Sequence, residues 1–243
     1  MSRLILPDWP APARVRACST TREAGVSRAP WHSLNLGDHV GDDPEAVAEN
    51  RRRQAALADL PAAPRWLTQV HGMDVITLNG APPPSLRGDA VYTRTPGEVC
   101  AVMTADCLPV LFCDRAGREV AAAHAGWRGL CAGVLEQTLA AFQAPRADIL
   151  AWLGPAIGPK AFEVGAEVKN AFARHDPAAA AAFIPRGEKY LADLYQLARL
   201  RLRTAGIRAI YGGKHCTVQE NDTFFSYRRE GVTGRMATLV WLI

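Results

Sequence analysis

Three short segments of the chain carry side chains suited to chemistry: Thr68-Gln69-Val70-His71-Gly72, Thr104-Ala105-Asp106-Cys107-Leu108-Pro109 and Ala123-His124-Ala125-Gly126-Trp127-Arg128-Gly129. Each offers one nitrogen or sulfur donor. His71 and Cys107 are 36 residues apart, and His124 follows at a further long interval. Such gaps suit loops that converge at the ends of neighbouring strands, with Gly72, Pro109 and Gly126 supplying the turns. A structural zinc site usually pairs its ligands a few residues apart, and the chain has no C-x-x-C pair. Two imidazoles and a thiolate would leave a tetrahedral Zn²⁺ with one open position for water or a substrate atom, the arrangement of catalytic zinc. Taken singly, each residue has a plainer reading: a hydrogen-bonded structural histidine, or a cysteine buried as a small hydrophobe.

Around these donors stand further candidates, each with two readings. Asp106, next to Cys107, is a general base or a carboxylate that caps a turn or orients a ligand histidine. Asp89 in Arg87-Gly88-Asp89-Ala90 shares that ambiguity, and Glu163 is a second acid/base candidate. Arg128, just before a predicted helix, would hold a phosphate together with backbone N–H groups, or else stack on Trp127. Gln69, read as lying on a strand, shares the face of His71 and helps line a pocket. Asn35, in Leu34-Asn35-Leu36-Gly37, shapes a turn or binds a ligand through its amide. The Ser226-Tyr227-Arg228-Arg229 segment is too polar for a core; one arginine would meet phosphate or ribose and the other a structural partner. His32, His39, His175 and His215 are assigned no chemistry.

The elements that position these residues read as mixed. Apolar and β-branched runs predict strands over 66–78, 98–104, 110–113, 119–124, 149–153, 208–211 and 235–243. Helices are predicted over 44–58, 130–142, 166–175 and 193–204, the first with Asp42 and Asp43 ahead of Pro44 as start signals. Strands 98–104 and 110–113 are expected to pair antiparallel, and 119–124 running into 130–142 reads as a βα step. The Pro82-Pro83-Pro84 run is a loop, and the alanine tract at 178–182 a short helix or connector. The expected class is α+β (α/β mixed) in a single domain over 1–243, with no interdomain linker and no internal repeat.

Composition narrows the function. A net charge of +4 with scattered basic residues disfavours a nucleic-acid partner. The N-terminal residues, with Arg3, Asp8 and two prolines, lack the apolar stretch of a signal peptide, and no run is long enough to span a bilayer. Six dispersed cysteines argue for free thiols. The expectation is a soluble cytoplasmic protein, a monomer or small homo-oligomer, with no membrane partner.

The three donor segments resemble, together with Ser33-Leu34-Asn35-Leu36-Gly37, Leu153-Gly154-Pro155-Ala156-Ile157-Gly158-Pro159 and Phe224-Phe225-Ser226-Tyr227-Arg228-Arg229-Glu230-Gly231, the YfiH family. Its members are also known as laccase-domain or polyphenol oxidase proteins, as purine nucleoside phosphorylases and, in bacteria, as peptidoglycan editing factors. The likeness covers nearly the whole chain, with six motifs in family order. It implies that His71, Cys107 and His124 are metal ligands, and it implies a four-layer domain of mixed, largely antiparallel sheets flanked by helices. One departure is visible, Lys160 in place of a cysteine that many members carry after Ile-Gly-Pro, at a position expected to lie outside the metal's immediate ligands.

The resemblance implies a zinc-dependent purine nucleoside enzyme that uses phosphate to cleave adenosine, inosine or methylthioadenosine and deaminates adenosine. Asp106, Cys107 and Arg128 would act in catalysis; Asn35, Gln69, Arg128, Ser226 and Arg228 would contact nucleoside or phosphate. The H-x-E and P-C-x-x-C signature of familiar zinc base deaminases is absent. Two alternatives stand: a Cys107–His124 hydrolase editing a cell-wall nucleotide precursor, and a mononuclear copper polyphenol oxidase. Six histidines are too few for a blue site plus an oxygen-reducing cluster, and Cu²⁺ would occupy this donor set in vitro by its general affinity.

Overall fold

The computed structural model describes residues 4–243; residues 1–3, including Arg3, lie outside the described residues. Strands make up most of the body, and several of the longer ones are buried on both faces. In chain order these are β1 (Leu4–Ile5), β2 (Val15–Thr20), β3 (Val75–Leu78), β4 (Ala90–Thr93), β5 (Val99–Thr104), β6 (Leu108–Asp114), β7 (Val120–Ala125), β8 (Ile149–Leu153), β9 (Glu163–Val164), β10 (Phe183–Arg186), β11 (Lys189–Ala192), β12 (Ala209–Gly212) and β13 (Met236–Leu242). The helices are α1 (Pro44–Leu57), α2 (Trp127–Ala132), α3 (Val134–Ala140), α4 (Ala166–His175), α5 (Leu194–Thr204) and α6 (Tyr227–Glu230).

Six strands make a mixed sheet in the order β12-β8-β6-β7-β4-β3, parallel at its two edges and antiparallel within. Four more, β1-β2-β13-β5, make an antiparallel sheet, and β10-β11-β9 a small antiparallel one. Alternation along each strand divides the core. Val110 and Phe112 of β6 and Ala121 and Ala123 of β7 face α3 and α5. Leu111, Val120 and Ala122 face the other way, against Cys100 and Val102 of β5 and Val240 of β13. The far face of the second sheet, with Ala101, Met103 and Leu239, packs on Leu34 and Leu36. The α1 helix holds that segment through Asn50, whose Nδ2 donates to the Ser33 and Asn35 carbonyls, and Arg51, whose Nε donates to Leu36. The order is therefore helices, sheet, sheet, helix, the four layers expected.

The local expectations hold in part. The α1 helix starts where its signals say, with Asp43 accepting from the Glu45 N–H and Pro44 in the first turn. The alanine tract forms a 3₁₀ turn over Pro177–Ala182, with Asp176 as its cap. The expected strand over 66–78 is corrected: only Val75–Leu78 is strand, and before it Thr68 makes an isolated bridge to Arg87. Its N–H groups at 70–72 go to a carboxylate and not to a ladder, as described below. The expected 130–142 helix begins earlier, at Trp127, and breaks at Gly133, whose φ of 114° only glycine adopts readily. The expected pairing of 98–104 with 110–113 is also corrected: β5 pairs with β13, and β6 with β7 and β8. Both strands are apolar on both faces, so each lies between two layers, and the Ala105-Asp106-Cys107 turn carries the chain from one sheet to the other.

Candidate metal centre

That crossing turn is where the site forms. Asp106 has φ 93°, and the residue after it, Cys107, immediately precedes β6. Register places the other donors. Pro109 faces His124 and Leu108 faces Ala125, so the end of β7 lies beside Cys107. Ala90 faces Ala123, and the His124 N–H donates to the Asp89 carbonyl at 2.7 Å, which brings the start of β4 alongside. The loop carrying His71 precedes β3 and wraps around Asp89. The donor atoms of His71, Cys107 and His124 all lie within 4.8 Å of one another.

Asp89, wholly buried, is the hub of this loop. Its Oδ1 accepts from the His71 N–H and from His124 Nδ1, both at 2.8 Å, and its Oδ2 accepts from the N–H groups of Val70 and Gly72. His71 itself sits at φ 60°, a region that residues other than glycine adopt uncommonly, and the loop's N–H bonds to Asp89 hold it there. With Nδ1 committed to Asp89, His124 turns Nε2 toward Cys107. Cys107 Sγ lies 3.9 Å from His71 Nε2, near the roughly 3.6 Å that separates two donors on a tetrahedral zinc with ordinary bond lengths. Gly126 permits the approach: a Cβ there would stand 2.9 Å from Cys107 Sγ and 3.0 Å from His71 Cδ2.

The electrostatics suit a thiolate. Burial opposes the charge on Cys107, but His124 and His71 outweigh it and hold the thiol at about 6. Burial likewise opposes charge on His124, yet Cys107 and Asp89 raise it to about 9. For Asp89 burial is again the largest influence, and the His124 and loop N–H contacts outweigh it to keep the carboxyl below its ordinary value. Cys18 differs; burial alone pushes it up to about 12, the behaviour of an inert thiol. One thiolate, two imidazoles and a carboxylate behind one imidazole form a donor set that fits zinc. Among the described residues this is the one such group, and the remaining histidines do not join it.

A cavity of about 490 Å³ opens on the triad. Gln69 lines it, its amide bonded both ways to the Met103 backbone at 2.8 and 2.7 Å. Asp106 lines it too, with Oδ1 accepting from Thr217 Oγ1 and Oδ2 from the Arg228 N–H, both at 2.6 Å. Arg228, Phe162 and Tyr227 form another part of the wall. Arg128 is elsewhere, exposed in α2 with its guanidinium 4.5 Å above the Trp127 ring. Asn35 is buried and its amide is spent on Gly37, Asp42 and the Arg235 N–H. Ser226 is buried as the cap of α6, accepting from the Arg229 N–H. Arg229 is the structural member of its pair, donating to the Thr217, Val218 and Phe224 carbonyls. Glu163 pairs with Lys189 at 2.9 Å outside the cavity, and Lys160 is exposed.

Arg235, a cavity residue, has no sequence motif behind it, because a charge at the head of an apolar strand reads as its flank. Tyr195 is similarly silent in the sequence. Its hydroxyl accepts from the Ala156 N–H and reaches the Gly154 and His215 carbonyls, which fixes the loop bearing Ile157 against α5.

Residues 16–243 match the family described as multi-copper polyphenol oxidoreductase laccase. The purine nucleoside phosphorylase YfiH of Shigella flexneri is 64% identical over 243 residues, all of both chains. Among solved structures, a Neisseria meningitidis protein superposes with a TM-score of 0.94 at 53% identity, over 99% of each chain. YlmD from Geobacillus stearothermophilus does so with 0.93 at 32% identity, over 99% of this chain and 96% of its own. No helix among the described residues is long and apolar enough to cross a membrane.

Proposed function

The chain belongs to the multi-copper polyphenol oxidoreductase laccase family, and from that premise we propose that it is a zinc-dependent purine nucleoside phosphorylase working at the His71–Cys107–His124 centre. The observation that carries this reading is the shared cavity: three metal donors, two guanidiniums and two aromatic rings line one space of about 490 Å³, within the range of small-molecule sites. The name carried by the Shigella flexneri relative supports the substrate class. A multinuclear copper centre would need further histidines joined to the triad; His39 lines the cavity but stands outside the donor group.

In this reading zinc supplies Lewis acidity when bound. The chain's own residues do the rest. Phe162 and Tyr227 offer flat apolar surface to a purine, while Met103 and Ile157 keep water from that side. A phosphate oxygen bonds to ribose C1′ as the C1′–N9 bond breaks; the electron pair leaves on N9, which takes the proton that hydrogen phosphate gives up. Asp106, with both oxygens already accepting a hydrogen bond, positions Arg228 and the start of α6. Adenosine, inosine and methylthioadenosine are the proposed substrates, and hydrolysis of the adenosine amino group belongs to the same centre.

Chromatography of each nucleoside incubated with zinc-loaded protein, with and without phosphate, tests this. Free purine is expected only with phosphate, together with ribose 1-phosphate, or 5-methylthioribose 1-phosphate from methylthioadenosine; inosine is expected from adenosine without phosphate. Absence of phosphate-dependent purine release would sink the reading. Turnover that survives metal stripping would replace it with a Cys107–His124 hydrolase, a reading favoured by the lowered thiol of Cys107.

A further inference from the structure

Arg235 stands in the cavity wall without an ion-pair partner; Cys107 and Asp106 act on its charge only at longer range. Its N–H is held by Asn35 Oδ1 at 2.9 Å, and Nη1 donates to the Thr233 and Gly234 carbonyls at 3.1 Å each. Nε and Nη2 make no hydrogen bond, and no carboxylate among the described residues lies within ion-pair distance. The side chain is partly buried, and burial weakens its hold on the proton. A partly desolvated guanidinium with unspent donors is costly unless something completes it. The fold also makes room for it: a Cβ at Gly37 would stand 2.8 Å from Arg235 Cγ, so the Leu-Asn-Leu-Gly turn is cut to let the stem pass.

A second guanidinium lines the same cavity. Arg228 donates from Nη1 to the Glu163 carbonyl at 3.0 Å, and its guanidinium carbon lies 5.6 Å from the Phe162 ring centre, with Nε and Nη2 again unspent. The only acid on the wall among the described residues, Asp106, is occupied by Thr217 and the Arg228 backbone and does not pair with either side chain. Two forks with free donors, no carboxylate partner and a nearby metal centre match a small tetrahedral dianion in charge and in shape.

We propose that Arg235 and Arg228 form an oxyanion subsite that binds the phosphate nucleophile, a placement that rests on the phosphorylase reading and moves the phosphate away from Arg128. Arg235 is the anchor, because it is partly buried and its stem is gripped by Gly37; Arg228 closes the other side.

Binding of inorganic phosphate to the zinc-loaded protein, followed by calorimetry at fixed ionic strength with acetate as a parallel arm, tests it directly. Wild type is expected to bind phosphate and to ignore acetate. Arg235→Gln should weaken phosphate binding about 10-fold or more, the loss of a charge-assisted contact, and raise the phosphate KM alike while the nucleoside KM stays within about twofold. Arg235→Lys should recover part of the loss. Gly37→Ala, which keeps the charge and shifts the stem, should weaken phosphate binding too, and serves if Arg235→Gln does not fold. Phosphate binding unchanged in Arg235→Gln, acetate binding as well as phosphate, or no phosphate binding to wild type would each overturn the subsite. Phosphate-dependent purine release with an unchanged phosphate KM in Arg235→Gln would remove the subsite and leave the phosphorylase reading. Arg235-dependent phosphate binding without purine release would do the reverse.

Discussion

At the residue scale, the pairing of His124 with Asp89 decides which nitrogen faces the cavity. Replacing Asp89 by Asn keeps the size, removes the charge and sets an NH₂ against N–H donors from Val70, His71 and Gly72. Asp89→Asn should therefore lower metal affinity by about 10–100-fold, measured by competition with a chromogenic chelator. Proton release gives a second check. Metal binds deprotonated donors. Cys107 is already a thiolate above about 6, whereas His124 keeps its proton up to about 9. Between those limits binding should release the His124 proton and weaken as pH falls; below about 6 the Cys107 proton must leave as well, and the decline should steepen. Titration calorimetry in buffers of different ionisation enthalpy reads the proton count. A pH-independent affinity from 6 to 9 would refute it. The three candidate donors were legible in the sequence because His71 and Cys107 stand in turns, His124 lies near the end of an apolar strand, and the family resemblance joins them. Asp106 drew attention by adjacency to Cys107, but the register of β4 against β7 gives the orienting task to Asp89, and register across distant strands is not written in local spacing.

Among the elements, the crossing from β5 to β6 and the β7–α2 junction do most to shape the centre. The α2 helix starts at Trp127 because Gly126 must sit against Cys107 and His71, so a side chain there acts on the metal before it acts on the helix. Gly126→Ala should leave helix content unchanged and displace Cys107 Sγ, with loss of metal retention on dialysis. Retention equal to wild type would contradict this. Tyr195→Phe should cost about 1–3 kcal/mol in denaturant unfolding, because the buried Ala156 N–H loses its acceptor. The boundaries of β5, β6, β7 and β8 were legible since long apolar runs end at clear turns. Their partners were not: a strand buried on both faces carries no alternation to say which sheet it joins. The break at Gly133 was hidden for a related reason, as one glycine in an apolar helical run reads as tolerated until its φ is known.

For the whole molecule, the donors come from different parts of a layered body: a loop ahead of an edge strand, the turn joining two sheets, and an interior strand. A ligand that binds only the folded state adds stability by mass action. Stripping the metal should lower the melting temperature, and adding zinc should restore it in proportion to the logarithm of free metal, read by scanning calorimetry. An unchanged melting point would mean that the centre binds no metal tightly. The layered class and the helix-flanked sheets were foreseeable from the mixture of runs and from the family resemblance, whereas the two-sheet sandwich depends on pairings that only the folded chain displays. Because Leu108 faces Ala125 within one sheet, the distance from Cys107 to His124 is set by the pairing of β6 with β7, and that to His71 by the loop clamped on Asp89. The centre is then a clock for assembly. In refolding with cobalt as a coloured substitute, the thiolate absorption should rise together with the strand signal of backbone circular dichroism, as β6 pairs with β7, and a rise long after that signal has recovered would refute it.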